Sequence, residues 1–260
     1  MEFFGIINQS LVPVRKQPGD TSEMTNQLIF GELILVKSKL NDWLLIESIH
    51  DQYEGWVDEK QIKPLSRVEF DHLSEVDQAV TQSIMSMAHA DRNHQPLYLT
   101  MGSRLFQYKE HLFNNLEGNY FFSGKTFNKP NHPQGKQMVD TALEYLHAPY
   151  LWGGRSVWGI DCSGLVQMTF LLNGINLPRD AADQSLQGNL IDFIHETKPG
   201  DLAFFDNQEE KIIHVGIVLS DNQIIHASGK VRIDTLDHQG IYNSDLKKYT
   251  HKLRLIKRLV

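Results

Sequence analysis

A chain of 260 residues with 41% apolar and 22% charged side chains has the composition of a globular protein with a sizeable core, which excludes general disorder. Its formal charge of -7 argues against a generic grip on nucleic acid or other polyanions, and no apolar run is long enough to span a bilayer. The single cysteine excludes an intrachain disulfide framework and any multi-cysteine zinc site.

The first residues, Met1 to Asn8, lack the basic segment and long apolar stretch of an export signal, so the expectation is a cytoplasmic protein, or an exported one whose leader has been removed. From Leu11 to about Leu65 the pattern is of short strands: Val12–Arg15, Gly31–Val36, Trp43–Glu47 and Gly55–Val57. Turn formers separate them at Pro18-Gly19-Asp20, Asn41-Asp42 and His50-Asp51-Gln52. Several short strands at regular spacing predict a small β-barrel. The run Gln27–Glu32, a Trp-bearing strand and Tyr53-Glu54-Gly55-Trp56-Val57 resemble the bacterial SH3-like domain that often precedes cell-wall peptidases.

Between Ser66 and Asn128 the pattern is weaker. Val80 to Ala88 reads as a short helix or a loop, and Leu97–Thr100, Leu105–Tyr108 and Gly118–Gly124 as strands. The expectation is a second, degenerate SH3-like domain, with an elaborated linker as the alternative. Asn128-Lys129-Pro130-Asn131-His132-Pro133 is rich in breakers and marks a boundary, giving domains 1–65, 66–128 and 129–260.

Beyond the boundary the organisation changes. Val139–Leu146 reads as an amphipathic helix, and a glycine loop, Tyr150-Leu151-Trp152-Gly153-Gly154, leads to Gly159-Ile160-Asp161-Cys162-Ser163-Gly164. A second helix follows, with Asp161 as N-cap and Asn173-Gly174 as its stop. Strands come next at Asp201–Phe205, Ile212–Leu219 and Gln223–Ala227, so helices precede an antiparallel sheet in an α+β plan.

The cysteine at the helix start is a candidate nucleophile, because the unbonded N–H groups and dipole there favour thiolate. Its alternative is a buried small hydrophobe. A thiol nucleophile needs a base and a group to hold that base. Of the 12 histidines, His50, His89, His94, His132 and His251 lie in polar stretches or near the terminus and read as solvated surface. His214 and His226 instead lie inside apolar strands, where an imidazole must find a polar partner. If Ser220-Asp221-Asn222 is a three-residue loop, Leu219 pairs with Gln223 and Gly216 with His226, placing the two imidazoles diagonally on one face; a two-residue loop separates them. Satisfied core histidines and a Cys/His zinc site are the competing readings.

Six fragments together resemble the NlpC family of papain-like cysteine peptidases: the glycine loop, Gly159–Val166, Leu177-Pro178-Arg179-Asp180, Pro199–Phe205, His214-Val215-Gly216-Ile217 and Ile225-His226-Ala227-Ser228. The resemblance implies a papain-like α+β catalytic domain after one or two SH3-like barrels, with neither cofactor nor metal. It implies Cys162 as nucleophile, His214 as general base and acid, and His226 as its orienting partner, with the Cys162 N–H and the Tyr150 hydroxyl on the oxyanion. Members with leading SH3-like regions are similar to murein-peptide recycling γ-D-glutamyl-L-diamino-acid endopeptidases, acting on stem peptides with a free N-terminal L-Ala. By that likeness Tyr150, Asp161, Ser163, Asp180, Glu23 and Tyr53 contact substrate, and Ala181 stands where the family commonly has Ser. The expected partner is a murein tripeptide or related stem peptide, with no nucleic acid or membrane and a monomeric state. An exported hydrolase of intact wall and a non-catalytic wall-peptide-binding protein are the alternatives.

Overall fold

The computed structural model describes residues 2–90, 95–116, 118–127, 133–220 and 222–260. His94, His132 and most of the boundary segment fall outside those residues, as does Asp221 of the hairpin turn. The chain divides between Asn128 and Lys129 into two compact units.

In the first unit, β1 (Phe3–Ile6), β2 (Leu11–Arg15), β3 (Met24–Ile29), β4 (Leu33–Leu40), β5 (Trp43–Ser48), β6 (Glu54–Asp58) and β7 (Lys63–Leu65) form an antiparallel sheet in the order β3-β2-β6-β5-β4-β1-β7. Alternation along β2, β4 and β5 turns Val12, Val14, Ile34, Val36, Leu44 and Ile46 inward. With Leu28, Val57 and Ile62 they form one apolar cluster, the core of an SH3-like barrel.

Residues 66–127 belong to this same unit. Helix α1 (Arg67–Glu75) starts at a capping box in which Ser66 and Glu69 satisfy each other's N–H groups. Strands β8 (Gln78–Val80), β9 (Met85–Ala90), β10 (Pro96–Thr100), β11 (Arg104–Phe106), β12 (Leu112–Asn114) and β13 (Asn119–Phe122) follow. The span Val80–Ala88, expected as helix or loop, is the end of β8, a loop over 81–84 and most of β9. Strands β8 to β13 form a sheet β10-β9-β13-β12 and a pair β11-β8 around Ala88, Leu99, Leu105, Phe113 and Phe122, and Phe30 of the barrel completes that cluster. At the junction Gly31 has φ +84, and a Cβ there would meet the Arg104 carbonyl at 2.5 Å. His50, expected on the surface, has its side chain 8% exposed, with Nδ1 2.7 Å from Ser48 Oγ.

The second unit opens with α2 (Gly135–Leu143), the short pair β14 (Arg155–Ser156) and β15 (Gly159–Ile160), α3 (Cys162–Leu172) and α4 (Ala181–Gln184). Then come β16 (Asn189–Ile191), β17 (Leu202–Asp206), β18 (Ile212–Val218), β19 (Gln223–Ser228), β20 (Lys230–Asp237), β21 (Gly240–Asn243) and β22 (Lys248–Arg258). The sheet order is β16-β22-β17-β18-β19-β20-β21, and β21 also pairs with β22, closing six strands into a ring that leaves those strands no open edge. Ala203, Phe205, Val218, Ile224, Leu236 and Ile241 fill one face. Helix α3 is buried almost along its whole length, which matches a helix apolar on all sides. Among the described residues no helix is long and apolar enough to cross a membrane.

Candidate active site

Cys162 is the first residue of α3 because Asp161 caps that helix: its Oδ1 accepts the Gly164 N–H at 2.7 Å, from an extended backbone. The same carboxylate accepts the Gly153 N–H at 2.8 Å, tying the glycine loop to the helix start. Gly164 is required there, since a Cβ would meet the Gly154 carbonyl at 2.3 Å. Arg179, buried, donates to both Asp161 oxygens at 3.0 and 2.6 Å and to Ser163 Oγ at 2.8 Å.

Asp161 and Ser163, expected as substrate contacts, are the residues these bonds hold. Asp161 is 4% exposed with both oxygens engaged internally, and the Ser163 hydroxyl is held between Asp161 and Arg179. They position the nucleophile's helix. Asp180 is exposed at the N-cap position of α4.

The thiol is in a different state from the one its helix position suggested. Cys162 is 5% exposed, and burial, reinforced by the Asp161 carboxylate, pushes it up to about 11. The Val215 and Ser163 N–H groups directed at the sulfur, with Arg179, oppose that rise without overcoming it. At neutral pH the cysteine is a thiol, and its bond to Val215 N–H places it against the backbone next to His214. Tyr150 lies in the same environment: burial, then the influence of Cys162 and Asp161, raises it to about 12, so its hydroxyl remains a donor.

The histidine strands pair as the three-residue loop requires. Ile217 faces Ile225, Val218 faces Ile224, and the Leu219 N–H donates to the Gln223 carbonyl at 2.9 Å. His214 and His226 therefore share a face, and Nε2 of one lies 2.8 Å from Nδ1 of the other. Gly216 makes room for this: a Cβ there would meet the Ile224 side chain at 2.7 Å and His226 Cβ at 3.0 Å.

Two participants escaped the sequence reading. Asp234 on β20 has Oδ2 3.0 Å from His226 Nε2, and Arg232 holds the same carboxylate at 2.7 Å. Burial alone would raise Asp234, but the bonds from His226 and Arg232 hold it below the usual carboxylate range. The second is His251 on β22, which is no surface residue: its ring stacks on His214 with centroids 4.1 Å apart and planes 21° apart. Burial, then His226, lowers His251 to about 4.

Asp234 fixes the proton order along this thread, by the donor and acceptor capacity of each group. An ionised carboxylate only accepts, so His226 carries a proton on Nε2, and as a singly protonated ring it presents a bare Nδ1. His214 must then donate from Nε2, which leaves Nδ1 as its lone pair. Burial, then His251 and His226, lowers His214 well below its ordinary value, so the ring is neutral. The site thus pairs a neutral thiol with a neutral imidazole of defined tautomer.

The remaining expected residues lie in the first unit. Glu23 is exposed immediately before β3, its carboxylate 3.1 Å from Lys16 Nζ. Tyr53 packs against the barrel's apolar cluster while its carbonyl accepts the Ser48 N–H.

Residues 147–251 match the NlpC/P60 family, and residues 14–62 match the bacterial dipeptidyl-peptidase SH3 domain. Over 244 residues the chain is 28% identical to a gamma-D-glutamyl-L-lysine dipeptidyl-peptidase of Bacillus subtilis (strain 168), covering 85% of this chain and 78% of that protein. It is 27% identical over 255 residues to dipeptidyl-peptidase 6 of Lysinibacillus sphaericus, covering 88% and 91%. A crystal structure of an NlpC/P60 family protein from Bacillus cereus superposes with a TM-score of 0.84 over 98% of this chain and 99% of that one. At 20% identity that likeness speaks to the fold alone.

Proposed function

We propose a substrate for a chain that is an NlpC/P60 cysteine peptidase carrying a bacterial dipeptidyl-peptidase SH3 domain: it hydrolyses the γ-D-glutamyl to L-diamino-acid bond of murein stem peptides with a free N-terminal L-Ala, in cell-wall peptide recycling. The observation that carries the chemistry is the ordered thread Asp234, His226, His214, which leaves one imidazole lone pair for the thiol proton. Similarity over most of the chain to peptidases named for the γ-D-glutamyl-L-lysine bond supports the substrate class. We take the protein to act as a cytoplasmic monomer without cofactor.

In this reading the Cys162 proton passes to His214 Nδ1 as the sulfur attacks the γ-carbonyl, because neither group is ionised beforehand. The imidazolium so formed is stabilised through His226 by the Asp234 carboxylate. The tetrahedral oxyanion takes hydrogen bonds from the Cys162 N–H and the Tyr150 hydroxyl. Collapse breaks the C–N bond, the diamino acid leaves with the proton from His214, and water attacks the thioester by the same base. Asp180, Glu23 and Tyr53 are proposed as substrate contacts, since an ammonium needs anionic or polar partners on leaving water.

The test is incubation of the purified chain with L-Ala-γ-D-Glu-L-Lys and with its diaminopimelate counterpart. Release of L-Ala-γ-D-Glu is expected from at least one, with strong loss on acetylating the substrate amine and no digestion of intact sacculi. Absence of cleavage overturns the reading; equal rates for the acetylated peptide overturn the amine assignment, and digestion of sacculi overturns the recycling role.

A further inference from the structure

The thread of Asp234, His226 and His214 gives His251 no task, yet two irregularities of β22 place it against the reacting ring. Ile241 pairs with His251 and Tyr242 with Tyr249, so Thr250 is an extra residue against β21. Phe204 pairs with Leu255 and Phe205 with Leu253, so Arg254 is an extra residue against β17. Bulges of this kind re-aim the side chains beside them. Between the two, the His251 ring lies on that of His214 with centroids 4.1 Å apart and planes 21° apart. We propose that His251 is a positioning residue of the acyl-transfer step, whose ring face stabilises the imidazolium that His214 becomes on taking the thiol proton.

The proposal rests on Cys162 and His214 as proton donor and acceptor, and is independent of which peptide is cleaved. In that step the S–H bond breaks, the proton goes to His214 Nδ1, and the sulfur electron pair forms the new C–S bond. One positive charge thereby appears on a ring that is 5% exposed, where burial makes it costly. Two groups answer that charge from different directions. In the ring plane, His226 lies 2.8 Å from His214 Nε2 and passes on the field of Asp234. Above the plane stands the π face of His251, and a cation within about 6 Å of an aromatic centroid is attracted by the ring quadrupole. Because imidazole lone pairs lie in the ring plane, two rings stacked this closely to parallel do not hydrogen-bond each other. His251 therefore supports His214 without taking the Nδ1 lone pair needed by the thiol.

The face serves only while His251 is neutral. Its charged and titratable surroundings are His214, His226 at 5.6 Å between centroids, and Asp234, with Asp206 and Lys252 on the cavity that His251 also borders. Burial, then His226, outweighs Asp234 and lowers His251 to about 4, so the ring is uncharged at pH 7. Thr250 Oγ1 donates to the Ile241 carbonyl at 3.4 Å and lies 2.9 Å from His251 Nδ1. A hydroxyl whose proton is engaged accepts at its lone pairs, so His251 carries its proton on Nδ1 and is tied by that edge to β21. Protonated at acid pH, the same ring would repel the imidazolium instead.

The experiment compares, at pH 7, the full chain carrying His251→Phe with the same variant bearing one, two or three fluorines on the introduced ring. Fluorine withdraws electrons from the π face while leaving the size of the ring nearly unchanged. Two rates are read: alkylation of Cys162, the single cysteine, by iodoacetamide, which needs the same proton transfer and no peptide, and kcat on the cleaved peptide. His251→Phe keeps a face and should stay within about twofold of the unsubstituted enzyme. Both rates should then fall stepwise, by about three- to tenfold at the third fluorine, with KM unchanged. A stack that only packs the ring is blind to fluorination, so an alkylation rate that is flat across the series overturns the proposal. Graded alkylation without peptide cleavage supports the role of His251 and overturns the substrate reading alone. If His251→Phe does not fold, His251→Leu decides, since it fills the space without a π face: alkylation must slow by about three- to tenfold, and an unchanged rate overturns the proposal.

Discussion

Both units of this chain wrap antiparallel strands around an apolar cluster, yet they differ in what their strands do at the end of that cluster. In the first barrel the inward positions of β2, β4 and β5 are aliphatic from Val12 and Val14 to Leu44 and Ile46, with the buried Ser48 ending β5. In the second, the face that carries Ala203, Phe205, Val218 and Ile224 continues into His214, His226 and Asp234. The second sheet exchanges apolar contact for three buried polar groups that satisfy one another. Such a trade is tolerable only when every donor and acceptor is matched, and here the matching also writes a tautomer. The same architecture serves as scaffold in one unit and as proton-transfer device in the other.

The comparison breaks if substitutions in the second barrel's polar thread behave like those in an apolar core. The largest expected effect is that of Cys162→Ala, which should lower kcat by about 10⁴-fold or more while the protein stays folded by near-UV circular dichroism. Next is Asp234→Asn: with the carboxylate gone, the proton order on His226 and His214 is no longer enforced, and kcat should fall about 10²-fold with little change in KM. Glu23→Gln should raise KM about 10-fold for the free-amine peptide and leave the acetylated peptide unaffected. On this rate scale a core truncation in the first barrel, Leu28→Ala, should leave kcat within about twofold although it costs about 2–5 kcal/mol of stability by denaturant unfolding.

The pH dependence sharpens the contrast. His214 and His251 both titrate lower in the folded protein than the ordinary 6.5, so the unfolded chain binds more protons in the interval below 6.5. Stability should therefore fall as pH drops from 6.5 toward the folded values, about 4 for His251. Cys162 runs the other way, because its thiol is raised from 9 to about 11, and stability should fall as pH rises through that interval. Activity should hold a plateau between these limits, with an acid limb below pH 6.5. The smallest effect expected is in His251→Phe, which keeps the stack on His214 but removes a charge that disfavours its protonation, moving the acid limb to higher pH.

The parts legible in the sequence were those set by local chemistry. Asp161 as N-cap and Asn173-Gly174 as stop delimit α3 as found; turn chemistry located the hairpin but left two loop lengths open, and the observed register is the one that puts His214 and His226 on one face. The same diagonal argument reaches Asp234, which lies two residues from Arg232, the residue opposite His226; it required recognising β20, whose Lys230–Asp237 run is dense in charge. The capping box at Ser66-Arg67-Val68-Glu69 was an available signal for α1. His251 was not legible, because register shifts between β21 and β22 and between β17 and β22 break the alternation that would say which way it points. In the 66–127 region, turns are made by Gln107, Glu110, His111 and Leu116 at positive φ, where no glycine or proline announces them. Helix position likewise suggested a thiolate, but the burial that follows from packing α3 on all sides outweighs the helix start.

The claim at the centre of this account is that Asp234 sets the protonation of His214 through His226. ¹⁵N NMR of histidine-labelled protein at pH 7 reads it directly. The account predicts His214 and His226 both neutral and protonated on Nε2, with His214 Nδ1 bare, and a changed tautomer population in Asp234→Asn. A doubly protonated His214, or a His214 protonated on Nδ1, would contradict it.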